Sequence, residues 1–130
     1  MLYDVTVMAI DDLSEYKELF DTTAHEYLEA LKKSLTELAQ NPVATEAIAT
    51  AYISTHSLKS QCLAMGFTQT GLLCKVLEYN FSQIKDKEKQ LTPVLQKKLE
   101  QAANELENSL TTIRTTNIEI DLQQAIEHLS

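Results

Sequence analysis

The chain has 130 residues, a mass of 14.6 kDa and a formal net charge of −8, and its length suits one domain, residues 1–130, with a buried core. It contains two glycines and two prolines, whereas average usage gives roughly nine and six for this length. Because β-sandwiches and barrels need many turns with positive φ angles, this composition excludes them and favours a few long helices. The acidic charge disfavours binding to nucleic acid and to anionic membranes, which leaves a protein partner or a small ligand.

The sequence contains no apolar run long enough to span a membrane. Residues 1–10 include Asp4 and no basic cluster, so a signal peptide is not predicted either, and we expect a cytoplasmic protein. Cys62 and Cys74 lack a CxxC spacing and neighbouring ligand clusters. Two reduced, partly buried thiols are therefore the simpler interpretation, and no metal site is predicted.

The first two predicted helices follow from apolar periodicity and capping signals. Apolar residues over Leu13–Leu38 recur in steps of three and four, which predicts one amphipathic helix. Asp12 with Glu15 three residues later resembles a capping box, so we expect this helix to start near Asp12. Asn41-Pro42 predicts a stop and a new start, because Asn is a good N-cap and Pro suits the first helical position.

The second helix is expected over Pro42–Met65, because Gly66 can take the left-handed position that ends it. Its predicted inward stripe is Ala44, Ile48, Ala51, Thr55, Leu58, Cys62 and Met65. A third helix is expected over about Thr68–Lys85, and Thr92-Pro93 repeats the cap-then-proline signal that opens a fourth.

Asp121 is a candidate cap for a short final helix over about 121–129. Four amphipathic helices with short connections predict an all-α fold, an antiparallel up-down four-helix bundle over about residues 12–115. The last helix is a small appendage to that bundle.

Most enzyme signatures are missing from the sequence. Gly66 and Gly71 lie in the stretch GFTQTG, which lacks the Lys-Ser/Thr that a phosphate-binding loop needs. HExxH, GxSxG and paired Glu-x-x-His motifs are missing too, so zinc-protease, α/β-hydrolase and di-iron interpretations lack their essential residues. His25 and His128 have no ligand neighbours at useful spacing and are interpreted as surface histidines.

His56 differs from the other histidines in the face that it occupies. At about 100° per residue, it points roughly 130° away from the middle of the inward stripe and therefore faces outward. Its neighbours at offsets of three, four and seven residues form a mixed surface suited to contacting a protein. They are Ala49, Tyr52, Lys59, Ser60 and Leu63.

Glu78 is a candidate partner for this histidine. His56 lies 11 residues before Phe67 and Glu78 lies 11 residues after it, so an antiparallel hairpin would place both at one height, about 16 Å from the turn. The Glu78 carboxylate would accept a hydrogen bond from one ring nitrogen, fixing the tautomer and leaving the other nitrogen free. With 19 acidic residues among 130, this symmetry alone is weak support.

Two stretches resemble a known family. Thr55–Phe67, THSLKSQCLAMGF, strongly resembles the histidine phosphotransfer (HPt) signature, roughly H-x-[LI]-K-G-x-x-x-x-x-G-[FL], and Leu73–Glu78 looks like the family's C-x-x-L-E element. The similarity is closest to the amino-terminal phosphotransfer domains of chemotaxis-type histidine kinases. It implies a four-helix phosphocarrier of a two-component phosphorelay, without a kinase site of its own.

By this resemblance His56 accepts the phosphoryl group, Lys59 offsets its charge and Glu78 orients the ring. The binding surface around the histidine is expected to include Tyr52, Ser60 and Leu63. The implied partners are the receiver domain of a response regulator, whose aspartate gives or takes the phosphoryl group, and a histidine kinase of the hybrid or chemotaxis type. Mg²⁺ is expected on the receiver domain and no cofactor on this chain, which we expect to be a monomer.

Two positions depart from the family pattern. Ser60 stands where the family usually has glycine, so slower or more selective transfer is expected. Lys75 stands where chemotaxis-type domains often carry a second histidine, which leaves the type of kinase partner open. The alternative from a different class is a helical adaptor that binds a receiver or kinase domain through the surface around His56 without transfer.

Overall fold

The computed structural model describes residues 10–130, with side chains from Ser14 onward, and these residues form five α-helices and no strand. The helices are α1 (Ile10–Gln40), α2 (Thr45–Ala64), α3 (Thr68–Lys85), α4 (Pro93–Thr116) and α5 (Gln123–Leu129). The first four form an antiparallel bundle in which α2 packs against α1 and α3, and α4 closes the far side against the same two helices. The short α5 packs on α3 and α4. The predicted all-α class, bundle and terminal helix are confirmed.

The core of the bundle is aliphatic, because each long helix turns one apolar face inward. The large side chains that are almost fully buried include Leu31, Leu38, Leu58, Leu73, Leu77, Phe81, Leu99, Leu106 and Ile113. Every one of α1 to α4 contributes to this set, so the helices are stable through their mutual packing. Within the described residues, no helix is long and apolar enough to cross a bilayer.

The predicted cap of α1 at Asp12 is wrong, because the described part of the helix runs from Ile10 and Asp12 lies inside it. The side chain of Asp12 is outside the described residues, as are residues 1–9 altogether.

The predicted start of α2 is also wrong, because Asn41-Pro42 forms a turn instead of a cap. The Asn41 side-chain oxygen accepts a hydrogen bond from the Val43 N–H at 3.3 Å, and the Asn41 carbonyl accepts one from the Ala44 N–H at 3.1 Å. These bonds satisfy the Asn41 acceptors before a helix begins. The first residue of α2 is Thr45, three positions later than expected.

The capping prediction for α4 agrees with the structure, and the one for α5 does not. Thr92 caps α4, since its hydroxyl accepts a hydrogen bond from the Leu95 N–H at 3.2 Å and Pro93 follows as the first helical residue. The predicted cap at Asp121 is wrong, because Leu122 is the N-cap of α5. The Asp121 carboxylate accepts a hydrogen bond from the Gln123 N–H at 3.0 Å, one position before that cap.

A glutamate from the α4–α5 connection supplies the cap that the start of α3 lacks. Glu119 accepts hydrogen bonds from the Gln69 N–H at 3.3 Å and from the Thr70 N–H at 2.8 Å. In return, the Gln69 side chain accepts a hydrogen bond from the Leu122 N–H at 2.6 Å. These hydrogen bonds hold the α4–α5 connection against the start of α3.

The turn between α2 and α3 has the glycine-dependent geometry that the sequence predicts. Gly66 has a φ of +85°. The Phe67 N–H donates to the Cys62 carbonyl at 2.8 Å and the Gly66 N–H donates to the Leu63 carbonyl at 3.1 Å, which is a complete Schellman motif. Met65, predicted to face inward, is 36% exposed because α2 ends there.

Replacing Gly66 by Ala should destabilise the folded chain by about 1–2 kcal/mol, the cost of the left-handed conformation for a residue with a Cβ. No atom lies within 4 Å of a Cβ built there, so strain and not a clash is the cause. Urea denaturation measures the loss, and Gly66→Asn should lose less because Asn tolerates positive φ. A Gly66→Ala chain as stable as wild type would contradict this account.

Candidate functional site

The site is centred on His56, which lies on the outer face of α2 with 54% of its side chain exposed. Its Nδ1 lies 2.8 Å from Glu78 Oε1 on α3. The antiparallel hairpin therefore brings together the two residues that lie at equal distances from Phe67. The opposite ring nitrogen, Nε2, has no hydrogen-bond partner among the described residues.

The Glu78 carboxylate also contacts the ammonium of Lys59. Its Oε2 lies 2.7 Å from Lys59 Nζ, and the Glu78 side chain is only 13% exposed. Burial by itself raises the pKa of Glu78, but the ion pair with Lys59 and the hydrogen bond from His56 outweigh it and hold that pKa below its ordinary value of 4.5. One ionised carboxylate thus connects both candidate residues of α2.

This contact fixes the tautomer of the neutral imidazole. A carboxylate has only acceptor atoms, so Nδ1 of His56 must carry the proton that is shared with Glu78. The lone pair is then on Nε2, on the other side of the ring. The arrangement presents a nucleophilic nitrogen at the surface, with its partner nitrogen already hydrogen-bonded.

Lys59 lies where its ammonium stabilises Glu78. In this unphosphorylated chain the Nζ atom is within 2.7 Å of the carboxylate, and the side chain is 24% exposed. Each oxygen of the Glu78 carboxylate therefore has a partner, with His56 on Oε1 and Lys59 on Oε2.

The three predicted surface residues occupy different positions around the ring. Tyr52 stacks on His56, with the ring centroids 6.4 Å apart and the planes at 25°. The Ser60 hydroxyl donates to the His56 carbonyl at 3.2 Å, so it is turned toward the backbone of its own helix. Leu63 is 44% exposed, one turn beyond Ser60 on the same face.

Two residues of α3 that sequence reasoning missed support this surface. Lys85 places its Nζ 5.6 Å from the centroid of the Tyr52 ring. Gly71 lies under Leu63, since a Cβ added to Gly71 would be 2.5 Å from Leu63 Cδ2. Both could have been found from spacing, because they lie seven residues, or about two helical turns, on either side of Glu78.

The remaining candidate groups lie outside this site. Cys62 and Cys74 are free thiols, as predicted, but they are fully buried and not partly buried. A hydrogen bond with Cys62 together with burial raises the pKa of the Cys74 thiol. His25 and His128 are exposed. Among residues whose side chains are described, no cluster of three or more His, Cys, Asp or Glu is arranged to hold a metal ion.

Glu78→Gln should remove an acid-sensitive part of the stability. Because folding lowers the pKa of Glu78, its ionised form stabilises the fold above the ordinary value of 4.5, and this contribution disappears as pH falls through the lowered pKa. The difference in unfolding free energy between wild type and Glu78→Gln, measured in urea, should shrink as pH falls from about 7 to about 3. The exposed Glu105→Gln serves as control, and a difference independent of pH would contradict the assignment.

Comparison with known proteins identifies the family. The Hpt domain family matches residues 15–129. The CheA phosphotransferase domain from Thermotoga maritima is 30% identical with a TM-score of 0.71, and the alignment covers 76% of this chain and 94% of that one. A histidine phosphotransfer domain of CheA solved in solution is 26% identical, with a TM-score of 0.79 and coverage of 88% and 89%.

A third structure is similar in fold. The phosphorylated P1 domain of CheA3, in complex with CheY6 from R. sphaeroides, is 15% identical with a TM-score of 0.81, and the alignment covers 88% of this chain and 92% of that one. The family match extends over nearly all of the described residues. With its helical bundle and these similarities, the chain belongs to the Hpt domain family.

Proposed function

We propose that this chain is a histidine phosphotransfer protein of a two-component phosphorelay and that His56 Nε2 is the atom that carries the phosphoryl group. The observation that supports the proposal best is the 2.8 Å contact between His56 Nδ1 and Glu78 Oε1. It leaves an exposed, nucleophilic Nε2 on the neutral ring, and membership of the Hpt family supports the same chemistry.

The proposed transfer needs no proton from solvent. The Nε2 lone pair of His56 attacks the phosphorus of an aspartyl phosphate on the partner. An N–P bond forms, the P–O bond to the aspartate breaks, and the aspartate leaves as a carboxylate. The imidazole keeps its Nδ1 proton and gains positive charge, which the adjacent Glu78 carboxylate stabilises. The reverse attack by an aspartate oxygen returns the lone pair to Nε2.

We assign Lys59 two successive roles. Before transfer its ammonium holds Glu78 in place, at 2.7 Å from Oε2. After transfer the phosphoryl group brings about two negative charges to the same surface. Lys59 lies one turn from His56 and can then share its ammonium between the carboxylate and the phosphoryl oxygens.

The proposed partner is the receiver domain of a response regulator, with a chemotaxis or hybrid histidine kinase further upstream. One structural neighbour is a phosphorylated P1 domain in complex with CheY6, which supports a partner of this kind. We assign the Mg²⁺ that neutralises the transferring group to the receiver, because Glu78 is already occupied by His56 and Lys59. The chain would act as a monomeric phosphocarrier and not as a kinase.

The partner is proposed to dock on the surface around His56 that includes Tyr52, Ser60 and Leu63. Leu63 offers an apolar contact whose position is limited by the close approach of Gly71. Ser60 adds a hydroxymethyl group one turn from the ring, where it narrows the room for an approaching active site.

His56→Gln should abolish acceptance of label from receiver domains of the same organism that have been phosphorylated with acetyl phosphate. Wild type should gain acid-labile phosphate, and the exposed His25→Gln should behave as wild type. Labelling of His56→Gln at the wild-type rate would overturn the proposal. Receiver binding with no acid-labile phosphate on wild type would instead favour the non-transferring adaptor.

Lys59→Gln should slow phosphoryl acceptance about 10-fold or more, because it removes the cation that holds Glu78 and offsets the incoming charge. Rapid-quench measurement of the single-turnover rate tests this, with the exposed Lys97→Gln as the charge-matched control. Equal rates for the two variants would contradict the proposed role of Lys59.

A further inference from the structure

Tyr52 connects the candidate phosphoryl acceptor to a second residue of α3. Its ring stacks on the His56 imidazole, with centroids 6.4 Å apart and planes at 25°, within the range of about 4.5–7 Å that aromatic pairs prefer. The Lys85 ammonium lies 5.6 Å from the centroid of the same tyrosine ring, which is cation–π distance. Lys85, in the last turn of α3, therefore holds the Tyr52 ring in place through a cation–π contact.

The hydrogen bond from Nδ1 to Glu78 fixes only part of the orientation of the His56 ring. Together with the Cβ–Cγ bond it limits rotation of the imidazole, but a single hydrogen bond to a carboxylate oxygen tolerates a range of ring tilts. The side chain is 54% exposed, so few other groups surround it. The stacked Tyr52 ring restricts this tilting, since tilting the imidazole would separate the two aromatic rings.

We propose that Tyr52, held by Lys85, is a positioning residue that fixes the plane of the His56 ring and thus the direction of the Nε2 lone pair. This inference rests on the proposed phosphotransfer at His56. The lone pair lies in the ring plane and must point at phosphorus for in-line attack, so the effect belongs to the transfer step.

The stack lies within the surface on which a partner is proposed to dock. Tyr52 lies one turn toward the start of α2 from His56, with its ring beside the imidazole. Ser60 and Leu63 lie beyond the histidine in the other direction along the same helix. A receiver domain that docks on this surface therefore meets the tyrosine on one side of His56, and Ser60 and Leu63 on the other.

Tyr52→Leu and Tyr52→Phe separate positioning from docking. The probe is the receiver domain that gives the fastest transfer to wild type, phosphorylated with acetyl phosphate, with single-turnover rates measured over a range of its concentration. Tyr52→Leu should lower the maximal rate about 3- to 10-fold and change the half-saturating concentration less than about twofold. Tyr52→Phe keeps the stack and should restore the maximal rate. Lys85→Met should lower it in the same direction by a smaller factor.

The His56 ring itself gives a second readout. In ¹⁵N-detected NMR, wild type should show the neutral tautomer with the proton on Nδ1, and Tyr52→Leu should show a more mobile ring. Tyr79→Leu, which removes a tyrosine that is 63% exposed on α3, is the matched control and should leave the maximal rate unchanged.

Two results would overturn the inference. A raised half-saturating concentration at an unchanged maximal rate would show that Tyr52 only contacts the partner. Unchanged rates and an unchanged ring in Tyr52→Leu would show that it has no role. Failure of the proposed function is distinguishable from both, because wild type itself would then gain no acid-labile phosphate.

Discussion

The site depends on one shared carboxylate. Glu78 joins α3 to α2 through His56 on one oxygen and Lys59 on the other, and it is only 13% exposed. A buried carboxylate without partners would become protonated more easily, but here the two cationic or proton-donating neighbours lower its pKa and keep it ionised. That ionisation determines which imidazole nitrogen carries the proton. The tautomer of His56 thus depends on the charge of a residue on another helix.

The rest of the hairpin maintains the register that this contact requires. The Schellman turn at Gly66 reverses the chain with only three residues, 65–67, between α2 and α3, and its hydrogen bonds fix the alignment of the two helices. Residues of α3 that are two helical turns apart then contact α2 at three levels. Gly71 contacts Leu63, and Glu78 contacts His56 and Lys59. Lys85 contacts Tyr52. A shift of one residue would rotate Glu78 by about 100° away from the histidine.

The connection between α4 and α5 also helps to hold α3 in position. The first N–H groups of α3 have no cap from their own segment, and Glu119 supplies one while Gln69 holds the backbone at Leu122. A carboxylate at this end also complements the helix dipole. The helix that carries Glu78 is therefore fixed at its start by residues about 50 positions away in sequence.

The sequence by itself determined the helical class, the bundle, the glycine-ended turn and the outward position of His56, because apolar periodicity and local capping depend on neighbours within a few residues. It also paired His56 with Glu78, because in an antiparallel hairpin with a short turn two residues at equal sequence distances from the turn lie at the same level. Local signals failed at Asn41, whose side chain bonds a turn as readily as it caps a helix. Only the tertiary structure placed Lys59 on Glu78, Lys85 on Tyr52 and Glu119 on the start of α3. Those contacts depend on how long side chains pack between helices, and the spacing of residues along one helix does not specify that packing.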